Sequence, residues 1–206
     1  IIEKNETRIS NLLAYLDDCK KQDNQIENLN TSIGVLREFG TLVFSELARL
    51  GFIGSILLKS LIDKKVITPS EAQMLLASKD TVTSEFLRDL TSNDISEEDF
   101  NKKYGHLRPN TYDITSHTYS EMSLKSSHKA KYKASKYELD EILIVEEKIE
   151  KFLQQNYRDL SNKKLTDFIV TVVEKRERSK FEFSKLLSFI FVQLKNFFYK
   201  LNIVED

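Results

Sequence analysis

The residues of this 206-residue chain that could do chemistry concentrate between Tyr104 and Tyr119, in YGHLRPNTYDITSHTY. The stretch holds two of the three histidines (His106 and His117), one of the two prolines, the last of five glycines, and both Arg108 and Asp113. Gly105 follows a helical run and can take the positive φ of a helix C-terminal stop. Pro109-Asn110 fits the two central positions of a turn, Asn tolerating the left-handed conformation at the second. That turn would present Arg108 on one side and Tyr112-Asp113 on the other. An arginine held this way can fork onto a phosphate or a carboxylate. The same residues also fit a purely structural network, with Arg108 paired to Asp113 or to an N-terminal acidic group and His106 donating to a backbone carbonyl.

Other chemistries are excluded by spacing. His106, His117 and His128 recur every eleven residues, without an HExxH pair or a carboxylate cluster nearby, so no metal site is expected. Cys19 lies on a polar helix face without a histidine context, and there is no nucleophile elbow. Neither GxxxxGK[ST] nor GxGxxG occurs, so a standard nucleotide cradle is absent.

The elements that must position this stretch are helical. Five glycines, two prolines and 31% charged residues describe a helix-rich chain, since sheets and their turns need more Gly, Pro and Asn. The length allows one domain or two small ones with a real core, and a single helical domain over residues 1–206 is expected. A net charge of −1 gives no global reason to expect nucleic acid or an anionic membrane as partner. One cysteine excludes an internal disulfide and fits a reducing, cytoplasmic setting. The chain opens Ile-Ile-Glu without a basic n-region, which is not a signal peptide, and reads as a piece of a longer protein.

Ile9, Leu12, Leu13 and Leu16 recur at helical spacing, with Ile26 and Leu29 as a continuation. Thr31 or Ser32 is a cap for a long second helix over about residues 33–64. Its most apolar part, Leu42 to Ile62, carries Glu46, Arg49 and Lys59, each costing about 2.5–3.5 kcal/mol near a bilayer centre. A core helix surrounded by others is therefore expected, with Gly51 and Gly54 admitting a close crossing. Thr68-Pro69-Ser70-Glu71 is a capping box that starts a short helix to about Ala77. Short helices over about 81–90 and after Ser96 lead to Tyr104. Residues 123–136 are Lys/Ser-rich and read as a mobile loop, with only Tyr132 available for stacking on a nucleic acid. Ser135 and Glu138 open a helix to about Asn156. The last helix, about 162–201, carries an apolar stripe that lapses between Val173 and Phe183, where Arg176 and Lys180 fall on the inward track. The expected fold is an all-α multi-helix bundle with two long helices and one irregular loop over 104–120.

Three stretches resemble one family. YGHLRPNTYDITS is similar to the GH-x-R/G-P-G-x-Y/E-D/L-x-x-S segment in the central region of phosphoenolpyruvate-utilising enzymes, those related to phosphoenolpyruvate synthase, pyruvate phosphate dikinase and rifampicin phosphotransferase. FGTLVFSELARLGF resembles that region's G-T-x-x-F-x-x-L-A-R-x-x-F helix, and KRERSKFEFSK its R-E-x-x-K-F-x-F-S segment. They occur in the family's order and span roughly residues 33–201. Asn110 stands where the family usually has Gly, and His117 where a Pro commonly follows the Ser.

The resemblance implies the middle of a phosphotransferase in which an ATP-grasp module and a swivelling phosphohistidine domain, both outside this stretch, work with ATP and Mg. It implies a small-molecule acceptor, no cofactor and no catalytic residue in this stretch, and no nucleic-acid or membrane partner. His106, Arg108, Tyr112, Asp113, Arg176 and Lys180 are the candidates to line an acceptor or phosphate site. Arg108 and Lys180 would take anionic oxygens, and His106 or Asp113 would orient an acceptor hydroxyl. The rival reading is a helical interaction module docking through Phe189, Phe191, Phe197, Phe198 and Tyr199. An exposed aromatic stripe beside a fully ion-paired Arg108 would favour that rival, and a polar cleft shared by Arg108 and Arg176 or Lys180 the first.

Overall fold

The computed structural model describes residues 1–21, 29–79, 81–92, 94–127, 139–157, 162–201 and 203. The fold is all-α. Its helices are α1 (Ile2–Lys21), α2 (Leu29–Val35), α3 (Leu42–Asp63), α4 (Pro69–Ala77), α5 (Val82–Thr91), α6 (Glu97–Tyr104), α7 (Leu124–Ser127), α8 (Leu139–Asn156) and α9 (Asn162–Lys200). A π-helical turn, Leu36–Thr41, joins α2 to α3 into one helical run. Much of the Lys/Ser stretch, with His128, Tyr132 and the Ser135/Glu138 box, lies outside the described residues.

The chain gathers into two compact units. The first comprises Ile1–Ser45, Phe86–Tyr132 and Ser179–Asp206, and the second Glu46–Glu85 and Lys133–Arg178. In the second unit, Leu58 and Leu61 of α3 pack with Ala72 and Leu75 of α4, Val145, Ile149 and Leu153 of α8, and Ile169 and Val170 of α9. The capping box at Thr68 is complete, each side chain bonding the other residue's backbone N–H. Lys148 of α8 binds the second Glu71 oxygen, and this bond holds the Glu71 carboxyl below its usual range. The polar lapse in α9 is used for pairing here: Arg178 reaches Glu85 at 3.1 Å, and Glu177 accepts the Thr83 hydroxyl at 3.0 Å.

Two expectations are corrected. The second helix begins upstream of residue 33, because Ser32 serves no cap. It is buried and shares a 2.9 Å hydrogen bond with the Tyr15 hydroxyl of α1. And α3 is not surrounded. Its packed residues, Gly51, Gly54, Leu58 and Leu61, share one face, which turns Phe52, Ile53 and Ile56 outward, 58%, 48% and 67% exposed. By length and composition the run Leu29–Asp63 is long and apolar enough to cross a membrane.

In the first unit, Leu12 and Leu16 of α1 meet Leu186 and Ile190 of α9, flanked by Leu29, Val35, Leu36 and Phe39. Gly40, in the π turn, lets that run approach closely. A methyl there would lie 2.6 Å from the Phe183 ring and 3.1 Å from Leu12. Beside this core, Phe86, Phe100, Tyr104, Tyr119 and Phe181 form a chain of ring contacts with centroids 5.0–5.9 Å apart. Such pairs add about 0.5–1.5 kcal/mol each beyond their buried area.

A pair of glycines tests this packing. A side chain at Gly54 would meet the buried Val172 methyl at 2.6 Å, whereas one at Gly34 meets nothing within 4 Å. Gly54→Val is expected to lower the unfolding free energy by about 2–3 kcal/mol through overpacking. Gly34→Ala should raise it by about 0.5–1 kcal/mol through helix propensity. Urea titration of both variants checks the contrast, and equal effects would refute it.

Candidate functional site

The irregular segment between α6 and α7 forms a closed loop in the first unit. Its ends are tied by Tyr119 N–H to the Leu107 carbonyl (2.7 Å) and Ser120 N–H to the Gly105 carbonyl (3.2 Å). Gly105 does not take a positive φ. It sits at φ −58°, ψ −24°, and its missing side chain instead admits Ser120, whose Cβ would lie 3.0 Å from a Gly105 Cβ. The turn also lies two residues later than expected. Asp113 N–H bonds the Asn110 carbonyl at 3.0 Å, so Thr111-Tyr112 are its central pair, and Asn110 is not left-handed. Both shifts have one cause: the two strap bonds fix the loop ends and leave the chain no need for a left-handed reversal.

The loop delivers His106 and Arg108 onto one line of α9. His106 lies 5.0 Å from the Phe181 ring and bonds its carbonyl, while its Nε2 is 3.2 Å from Ser184 Oγ. Arg108 Nη2 donates to Ser188 Oγ at 3.1 Å, and its guanidinium lies 5.2 Å from the Phe191 ring centre. Arg108 is only 5% exposed, yet its Nε and Nη1 have no hydrogen-bond partner. Asp113 does not pair with it: that carboxylate accepts from the N–H and hydroxyl of Thr115 at 2.9 and 2.7 Å. Glu121, bonded by the Thr118 N–H, and Asp113 act on Arg108 only from a distance. Burial dominates and pushes the guanidinium below its ordinary value.

A cavity of about 570 Å³ opens beside this line. Leu13, Leu16, Asp17 and Lys20 of α1 form one wall, His106 and Thr118 of the loop another, and Lys185, Ser188 and Val192 of α9 a third. The field here is positive. Burial, then Lys185, Lys20 and Arg108, push the His106 imidazole down to about 3, against the opposing bond to the Phe181 carbonyl. Lys185 is partly compensated by Glu182 at 2.6 Å.

The other candidates lie elsewhere. Tyr112 (61% exposed), Asp113 and Lys180 line a shallow depression with Pro109 and Asn110. Arg176 belongs to the second unit, where its stem covers Gly51 and its guanidinium lies 5.4 Å from the Phe52 ring centre. Ser184, Ser188, Lys185 and Lys20 were not among the sequence candidates. Their signal was faint: Ser184 and Ser188 are hydroxyls four residues apart beside an apolar stripe. Among the described residues no three His, Cys, Asp or Glu side chains gather as a metal site would need.

Chemically the arrangement offers a buried cation rather than a base. A histidine titrating near 3 is a poor base at neutral pH, and Ser184, near His106, gives its hydroxyl hydrogen to the Phe181 carbonyl. What stands out is a buried cation with two free donors. No protein-family model, curated protein or solved structure matches the chain.

Two measurements follow. The folded state keeps His106 neutral down to about pH 3, whereas in the unfolded chain it protonates near 6.5. Between those values the unfolded state binds the extra proton, so this group's contribution is complete above about 6.5 and falls away on acidification, by at most about 1.4 kcal/mol per pH unit. His106→Gln should flatten the stability curve between pH 6.5 and 4, and an unchanged slope would count against it. Arg108→Met, replacing a buried unpaired cation with an apolar side chain of similar length, should raise stability by about 1–2 kcal/mol in anion-free buffer. A loss of several kcal/mol would make Arg108 a structural strut.

Proposed function

We propose that this chain is the acceptor-binding helical middle of a phosphotransferase related to the phosphoenolpyruvate-utilising enzymes, and that its own task is to hold an anionic small molecule against α9. The observation that carries the reading is Arg108, buried, charged and without a carboxylate partner, one hydroxyl behind a cavity that Lys20, Lys102, Lys185 and Asp17 line. A guanidinium in that state is matched by a phosphate or carboxylate, whose oxygens accept from its N–H groups.

The three stretches behind the resemblance also meet in the first unit. Gly40 and Phe44 lie against Phe183, Tyr104 and His106 against Phe181, and His106 beside Ser184. That junction supports the family reading because it gives the three segments one shared purpose, positioning His106 and Arg108. In this reading ATP and Mg, the ATP-grasp module and the swivelling phosphohistidine domain lie elsewhere in a cytoplasmic parent enzyme, and no residue here is catalytic. The interaction-module reading is less well supported, because Arg108 is not ion-paired and Phe189 and Phe191 are partly covered.

Calorimetric titration with inorganic phosphate and phosphoenolpyruvate tests the anion site. Binding in the micromolar to millimolar range, lost in Arg108→Met, is expected, and binding unaffected by that substitution would overturn it. The reading frame on both sides tests the parent. A glycine-rich ATP-grasp sequence upstream and a Thr/Gly-rich histidine segment downstream are expected. A start just before Ile1 with a stop soon after Asp206 would sink the phosphotransferase assignment.

A further inference from the structure

The cavity is not built for a bare anion. Three lysines, Lys20, Lys102 and Lys185, line it with one carboxylate, Asp17, and Arg108 lies one hydroxyl behind the wall through Ser188. Helices α1 and α9 also give it apolar surface, from Leu13, Leu16, Phe189 and Val192. Inorganic phosphate would leave that apolar surface wet, and a volume of about 570 Å³ is in the range of sites for organic ligands of ten or more heavy atoms. Two further wall residues, Asn101 and Gln193, each keep a buried side-chain oxygen without a donor. Such groups call for a hydroxyl or N–H on the ligand, since an unpaired buried acceptor is costly.

We infer that the cavity takes an amphiphilic hydroxy-anion: a compound with a carboxylate or phosphate at the Ser188–Arg108 end, a hydroxyl within reach of Asn101 or Gln193, and an apolar body against Leu13, Leu16, Phe189 and Val192. This rests on the anion-holding reading of the same cavity and narrows it to a chemical class. It also gives the hydroxyl a place, which is what a phosphoryl acceptor needs.

A matched set of compounds separates the parts. 3-Phenyllactate carries all three features. 3-Phenylpropionate lacks the hydroxyl, 1-phenyl-2-propanol lacks the anion, and lactate lacks the apolar body. Calorimetry on the intact chain should find 3-phenyllactate the tightest, with 3-phenylpropionate roughly tenfold weaker, about the worth of one satisfied hydrogen bond. The neutral alcohol and lactate should each be weaker still. Arg108→Met should erase the preference of acid over alcohol. Val192→Trp, at a position 39% exposed, should fill the cavity and abolish phenyllactate binding even if the Arg108 variant fails to fold. Lactate or inorganic phosphate binding as tightly as phenyllactate would overturn the amphiphile class and leave the anion site standing. The neutral alcohol binding as tightly would overturn the anion site itself. Binding of none of the four would overturn both.

Discussion

A buried guanidinium is the constraint around which the first unit is arranged. Moving such an ion out of water costs several kcal/mol even after the surroundings relax. Arg108 recovers part of that through one hydrogen bond to Ser188 and the face of Phe191. A cation over an aromatic ring contributes about 0.5–2 kcal/mol. The two nearby carboxylates that could have neutralised it are engaged by Thr115 and Thr118. Both carboxylates are thus bonded elsewhere, and the charge on Arg108 has no ion-pair partner among the described residues.

Holding a charge in that position demands a rigid surround. The loop is tied across its base by two backbone hydrogen bonds. It is anchored at its entry by Tyr104, fully buried among Phe86, Phe100 and Phe181. The Tyr104 hydroxyl donates to Asp89 at 2.8 Å, and burial together with that carboxylate pushes the phenol up to about 12. Burial alone would raise the Asp89 carboxyl, yet the bonds from Lys103 and Tyr104 outweigh it and hold it low. Charge here is fully paired, in contrast with the site a few residues on. Polar groups are satisfied at the anchor and left unsatisfied at Arg108.

Periodicity made the helices legible because each buries a face, and helix α4 was legible to the residue because Thr68, Pro69 and Glu71 satisfy the free N–H groups of its first turn locally. The loop's importance was legible in composition, but its geometry was not. Gly105 and Asn110 are the residues that local rules assign to left-handed turns, and long-range bonds from Tyr119 and Ser120 removed the need for either. The exposed side of α3 escaped for a related reason. An apolar sequence states that burial is favourable without stating what is there to bury it, and Phe52 and Ile56 read the same as Leu58. The site's partners on α9 were hidden because Ser184 and Ser188 look like tolerated small residues beside a core stripe. Only the fold shows His106 and Arg108 lying over them.

The two basic groups of the loop meet the same burial with opposite results, and the difference explains what the site can do. Desolvation favours the neutral form of any cation. Histidine, with an ordinary value near 6.5, complies at almost no cost at neutral pH, so His106 becomes an uncharged spacer between the cavity and the Phe181 carbonyl. Arginine cannot comply, because its ordinary value lies so far above neutrality that even a lowered guanidinium stays charged. Of the two loop groups only Arg108 therefore carries charge, and it does so across the physiological pH range. A histidine in its place would have switched itself off on burial, and a surface lysine would have kept its water. A buried arginine without a carboxylate keeps both its charge and its unsatisfied donors.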